Sequence, residues 1–211
     1  MEPFNNCRFC DIINGRYHYE GIDEPFASND NFIAIASIGA LTEGWSLIIP
    51  KTHQLSMRSV YDNRDIAGLI NSILPPLMEK YGSLVAFEHG ANKEGSITAC
   101  GTDHAHLHIV PLGISLIPDL DSSGLKWIHC HTNEIASKSE NHEYLFYSEL
   151  SATGTWQDPV GYLHVLDYPI SQFFRQIIAK HLGVIEMSDY KRFPQLDIAE
   201  NTRKSLDSLA A

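Results

Sequence analysis

The chain has 211 residues, 44% of them hydrophobic and 19% charged, with a formal net charge of −11 at pH 7. That length buries a core as one domain, or as one domain with an extension, and the acidic balance argues against a protein that grips bulk nucleic acid, which needs a basic surface. No apolar run reaches transmembrane length, and residues 1–6 lack the basic and apolar segments of a signal peptide, so the expectation is a cytoplasmic protein with no membrane partner.

Two of the four cysteines form Cys7-Arg8-Phe9-Cys10, which fits a reducing compartment and a metal site better than a disulfide framework. Phe32–Ala36 predicts a short buried strand and residues 45–49 another, ended by Pro50. Over residues 62–81, Ile66, Leu69, Ile70, Ile73, Leu74, Leu77 and Met78 recur at helical spacing, with Pro75-Pro76 expected to kink or split the helix and Gly82 to stop it. Residues 84–87 begin a strand, and a loop over 90–103 leads into His104-Ala105-His106-Leu107-His108-Ile109-Val110-Pro111. Strand side chains alternate, so three imidazoles line one face while Ala105, Leu107 and Ile109 pack on the other, and Pro111 closes the strand. Beyond Gly113, Tyr144–Leu150 and residues 161–166 read as paired strands around the turn-rich segment 151–159. Residues 173–182 read as an amphipathic helix capped by Ser171 and Gly183, and 198–209 as a last helix. The order predicts an α+β fold with a mainly antiparallel sheet and a packed helix. It divides into a core over 1–115 and an α+β extension over 116–211 packed on it.

The histidine run matches the His-φ-His-φ-His-φ-φ signature (φ, apolar) of the histidine triad family of nucleotide hydrolases and transferases. Cys7-Arg8-Phe9-Cys10 resembles the Cys-x-Phe-Cys segment of its zinc-containing members. Gly44-Trp45-Ser46-Leu47-Ile48-Ile49-Pro50-Lys51-Thr52-His53 resembles their Gly-His-x-Leu-Val-Ile-Pro-Lys-x-His segment. The three matches fall in the family's order within the first 113 residues. The resemblance implies a HIT-like fold and a small phosphate-containing substrate of the nucleotide class, with a homodimer as the assembly many relatives use. It implies that His106 attacks the α-phosphorus to give a covalent nucleotidyl-histidine, that His108 attends the phosphoryl oxygens or the leaving group, and that His104 stands beside them. It also implies a structural zinc held by Cys7, Cys10, His53 and His104.

Backbone amides at Gly101 and Thr102 are plausible donors to charge developing on phosphate. The chain departs from the family where substrate is recognised. Ser37 stands where relatives carry a ribose-binding aspartate, and Trp45 where a histidine often follows the glycine. Cys100-Gly101 replaces a Gln-Ser or Gln-Thr pair whose role Thr102 or Ser96 could take, and Glu88 and His89 are candidates to enter the pocket from the neighbouring strand. Arg175, Lys180, Lys191 and Arg192 are candidate phosphate contacts whose simpler reading is a solvated face. Two other readings remain open at this point: a metal-dependent enzyme using the His104, His106 and His108 face as its catalytic site, and a non-catalytic nucleotide-binding module.

Overall fold

The computed structural model describes residues 7–150, 155–157 and 159–207. Eight strands form one sheet: β1 (Ala27–Ser28), β2 (Phe32–Ala36), β3 (Ser46–Pro50), β4 (Leu84–Gly90), β5 (Leu107–Pro111), β6 (Ile128–His131), β7 (Tyr144–Leu150) and β8 (Val160–Val165). Their order across the sheet is β1-β2-β3-β5-β4-β7-β8-β6, and every neighbouring pair is antiparallel. The strands predicted from alternation therefore sit where expected. Those from the second half of the chain continue the same sheet, because β7 pairs along the whole of β4, from Leu84↔Leu150 to Gly90↔Tyr144.

Apolar side chains cover both faces of this sheet, which is why Phe32–Ala36 and Ser46–Pro50 are buried along their whole length. On one face lies α2 (Arg64–Tyr81), whose Ile66, Leu69, Ile70, Ile73, Leu74 and Leu77 meet Ala105, Leu107 and Ile109. Pro75 and Pro76 lie inside α2 without splitting it. Burial of that apolar stripe outweighs the two backbone bonds the prolines forgo. The other face is covered by α1 (Arg8–Ile13), α3 (Ile117–Ser122) and α5 (Phe173–His181), through Phe9 and Ile12, Leu120, and Phe174 and Ile178 respectively. The other α-helices among the described residues are α4 (Ile135–Ser139) and α6 (Leu196–Leu206), and Leu206 reaches the α2 side.

Two boundaries differ from the sequence expectation. Ser171 does not cap α5: Gln172, held in the left-handed region at φ 55, occupies the cap position with no side-chain bond. α6 starts earlier than expected, at Leu196, while residues 208 and 209 of the predicted last helix and most of the 151–159 turn lie outside the described residues. Among the described residues no helix is long and apolar enough to cross a membrane.

Candidate active site

β5 runs between β3 and β4, with His108 opposite Leu47 on one side and Phe87 on the other. Regular strand begins only at Leu107, so His104 and His106 stand just ahead of it, yet the alternation continues through them. Ala105, Leu107 and Ile109 face α2, while His106 and His108 line a cavity of about 460 Å³ on the opposite face. That volume lies in the range of small-molecule sites. Phe87 stacks on the His108 ring, centroids 4.4 Å apart, and Phe9 of α1 sets its ring edge-on to His106 at 5.3 Å. The two imidazoles are thus held by rigid aromatic neighbours.

Hydrogen bonds assign the two rings opposite tautomers. His106 Nδ1 lies 2.9 Å from the His104 carbonyl oxygen, which can only accept, so Nδ1 carries the proton and Nε2 keeps a lone pair. His108 Nδ1 lies 2.9 Å from Trp45 Nε1, an indole that can only donate, so Nδ1 accepts and the His108 hydrogen sits on Nε2. Burial pushes both rings below the ordinary imidazole value, His108 strongly so, with the neighbouring His106 adding to its shift. Both are neutral at pH 7, the form a nitrogen nucleophile requires.

A second cluster joins α1, the end of β3 and the start of the histidine run. Cys7 Sγ is 3.4 Å from His104 Nδ1, Cys10 Sγ is 3.2 Å from His53 Nδ1 and 3.5 Å from His104 Nδ1, and all four ligand atoms lie within 4.8 Å of one another. Tetrahedral zinc bound by two thiolates and two imidazoles spaces its ligands by about 3.3 to 3.8 Å, close to the three shorter separations, and the widest pair would have to draw in by up to about 1 Å around such an ion. His104 Nε2 lies 2.8 Å from the Pro50 carbonyl oxygen, which places the hydrogen there and turns Nδ1 toward the sulfurs. This four-residue group could hold a metal, and it leaves His106 and His108 outside.

The remaining candidates divide. Ser37, His89, Gly101 and Thr102 line the cavity. The Ser37 hydroxyl oxygen accepts from Gly39 N–H at 3.2 Å, and the Thr102 N–H is committed to the Ala99 carbonyl at 3.0 Å, which removes that amide as a phosphate donor. Gly101 has φ +81, and a Cβ there would collide with the Lys191 ammonium that packs over it. Ser96 caps a short turn by accepting from Thr98 N–H at 3.2 Å and does not line the cavity, so it cannot take over the missing donor role. Glu88 requires a correction. It lies on the α2 side of β4, accepting from Met57 N–H at 2.6 Å, Tyr61 hydroxyl at 2.7 Å and Tyr144 hydroxyl at 2.6 Å. Consecutive strand residues point to opposite faces, so Glu88 and His89 could not both enter one pocket. Trp45 is also corrected: it is fully buried, lines no part of the cavity and reaches the site only through His108.

Two cavity residues were not legible as such. Arg175 of α5, a candidate phosphate contact whose simpler reading from sequence is a solvated face, is 3% exposed and lines the cavity, and Tyr190 lines it beside Arg175. The available signal was Arg175's place directly after Phe173-Phe174, on the apolar side of its helix.

No family model matches the chain. Among curated proteins it is 30% identical over 110 residues to an uncharacterized HIT-like protein of Mycoplasma genitalium, covering 51% of this chain and 73% of that one. It is 28% identical over 109 residues to an adenosine 5'-monophosphoramidase of Schizosaccharomyces pombe, covering 50% of this chain and 74% of that one. Among solved structures, a hypothetical histidine triad nucleotide-binding protein from Sulfolobus tokodaii is 16% identical with a TM-score of 0.41, covering 96% of this chain and 93% of that one. A HIT family protein from Bacillus anthracis is 19% identical with a TM-score of 0.39, covering 58% of this chain and 99% of that one.

Proposed function

The chain belongs to the histidine triad family, and from that premise we propose that it is a hydrolase or nucleotidyltransferase acting on a nucleotide phosphoester, anhydride or phosphoramidate through a nucleotidyl-histidine on His106. The observation that carries this reading is the pair of opposite tautomers, His106 offering a lone pair and His108 an N–H on one cavity wall. His106 Nε2 attacks the α-phosphorus; the P–N bond forms as the bond to the leaving group breaks, and the leaving group departs with the electron pair. The ring becomes cationic in that step, and its Nδ1–H bond to the His104 carbonyl strengthens on the new charge. His108 Nε2–H and the Gly101 N–H are the donors available to the phosphoryl oxygens. Water, or another acceptor, then displaces His106 and restores it. The relative named as a monophosphoramidase supports the phosphoramidate class among these substrates.

Cys7, Cys10, His53 and His104 hold a structural zinc in this reading. The ion's contribution is a cross-link that ties α1 to the histidine run, and with no open ligand position it takes no part in bond making. The rival in which the three histidines share one catalytic metal is disfavoured: His104 Nδ1 turns to the cysteines and His106 Nδ1 is committed to a backbone carbonyl. The test is incubation with labelled adenosine phosphoramidates and phosphoesters, acid quench, and mapping of any labelled residue.

A further inference from the structure

Beside His106 and His108 the cavity wall carries a buried cation with no directly paired carboxylate among the described residues, the nearest acidic influence on it being Asp189. Arg175 is 3% exposed and makes no ion pair among the described residues. Its acceptors are neutral: Nε donates to the Ser188 carbonyl at 2.9 Å and the Gln172 side-chain oxygen at 3.2 Å, one terminal nitrogen to the Gly39 carbonyl, the other to the Met187 carbonyl at 3.1 Å. Each terminal nitrogen carries a second hydrogen that these bonds do not use. The ring of Trp45 lies 5.3 Å from the guanidinium carbon and that of Tyr190 5.8 Å, so the group is fixed on its faces as well as its edges. Burial pulls its pKa down to about 10, which leaves it a cation at any physiological pH.

Two further observations point to a ligand at the same end of the cavity. His89 lines the wall at 8% exposure, and its Nε2 is buried with no partner among the described residues. A few buried polar atoms in a native structure lack a partner, and this one is set apart by lying on the cavity wall, where a ligand can reach it. Lys191, exposed and free of any side-chain ion pair among the described residues, lays its ammonium over Gly101, a residue that lines the cavity. The other charged groups on the wall, Arg8, Glu94 and Asp103, come from α1 and the 90–103 loop. Arg8 is already paired with Asp23.

We propose that Arg175, with His89 and Lys191, is an anion subsite supplied by the second half of the chain, and that the substrate bears a second phosphate-like group besides the phosphoryl centre His106 attacks. This deepens the functional reading above and rests on it. Arg175 donates to the Gly39 carbonyl, two residues past Ser37, the position at which the resemblance puts a hydroxyl-binding aspartate, and Ser37, Gly39 and Arg175 line the same cavity. The selectivity is therefore for a doubly anionic nucleotide or nucleotide-like ester over a singly phosphorylated one.

The test reads binding without turnover. On the full-length His106→Asn protein, calorimetry compares AMP with ADP, adenosine 2',5'-bisphosphate and adenosine 3',5'-bisphosphate. At least one doubly phosphorylated probe is expected to bind about tenfold or more tightly than AMP, and that advantage, not the AMP affinity, is lost in Arg175→Gln. Arg175 also holds backbone carbonyls, so Lys191→Met, at an exposed position, is the companion variant, and it reduces the same advantage. Equal affinity for AMP and all three bisphosphorylated probes, or an advantage that survives both substitutions, overturns the subsite. A failure to label His106 in the active protein bears on the functional reading alone, since the anion preference is measured without chemistry.

Discussion

Two substitutions relative to family members, Ser37 and Trp45, have different consequences at the residue scale. Trp45 keeps a hydrogen-bonding task where a histidine often stands, since its indole fixes His108 as the Nε2–H tautomer and can never reverse the bond. Trp45→Phe keeps the edge-to-face contact with Phe87 but leaves His108 Nδ1 without its donor, which costs about 1 to 3 kcal/mol of stability. The expected kinetic effect is a fall in kcat of about tenfold to a hundredfold with KM little changed. Nitrogen NMR of His108 is expected to pass from one tautomer to a mixture. An unchanged pure Nε2–H tautomer in the variant would remove Trp45 as a positioning residue. Ser37 has no such substitute task, because its hydroxyl oxygen turns back to Gly39 N–H.

At the scale of elements, α1 is only six residues long, and its place depends on what holds its first turn. Helices this short are marginal in isolation. Packing of Phe9 and Ile12 on the sheet supplies one anchor, and the Cys7, Cys10, His53 and His104 group the other. Burial and the neighbouring Cys7 push the Cys10 thiol up to about 12, so a cation among the sulfurs is what would make the thiolate form accessible at neutral pH. Protein purified without chelator is expected to carry roughly one zinc per chain. Cys10→Ala is expected to lose it, with a lower Tm and broadened Phe9 and His106 resonances. Wild-type protein with no near-stoichiometric metal, and a Cys10→Ala variant of unchanged Tm, would remove the zinc from the account.

At the scale of the whole molecule, the second half of the chain completes what the first half begins. β4 is hydrogen-bonded on both edges, to β5 and to β7, so a second copy cannot extend the sheet there; among the described residues the outer strands are β1, only two residues long, and β6. If the chain self-associates, sedimentation is expected to find a dimer whose contact does not run through β4. A dimer disrupted by substitutions on β4 would contradict this topology. The histidine run, the two buried strands before it and α2 were legible because each follows a clear period of two or of 3.6 residues. The β6 segment Ile-His-Cys-His and α4 were not, since neither is long enough to show a period. Arg175 could not be singled out from Lys180, Lys191 and Arg192 for another reason: its grip on Gly39 spans 136 residues, and no local pattern distinguishes such a cation from one in water. Glu88 could have been assigned from strand parity alone, once His89 was taken to face the cavity. The central claim remains the bond between phosphorus and one imidazole. Acid-quenched protein exposed to labelled adenosine phosphoramidate is predicted to carry label on His106, and His106→Asn to lose both the label and about four orders of magnitude in kcat. Label on any other residue, or turnover undiminished in His106→Asn, would contradict it.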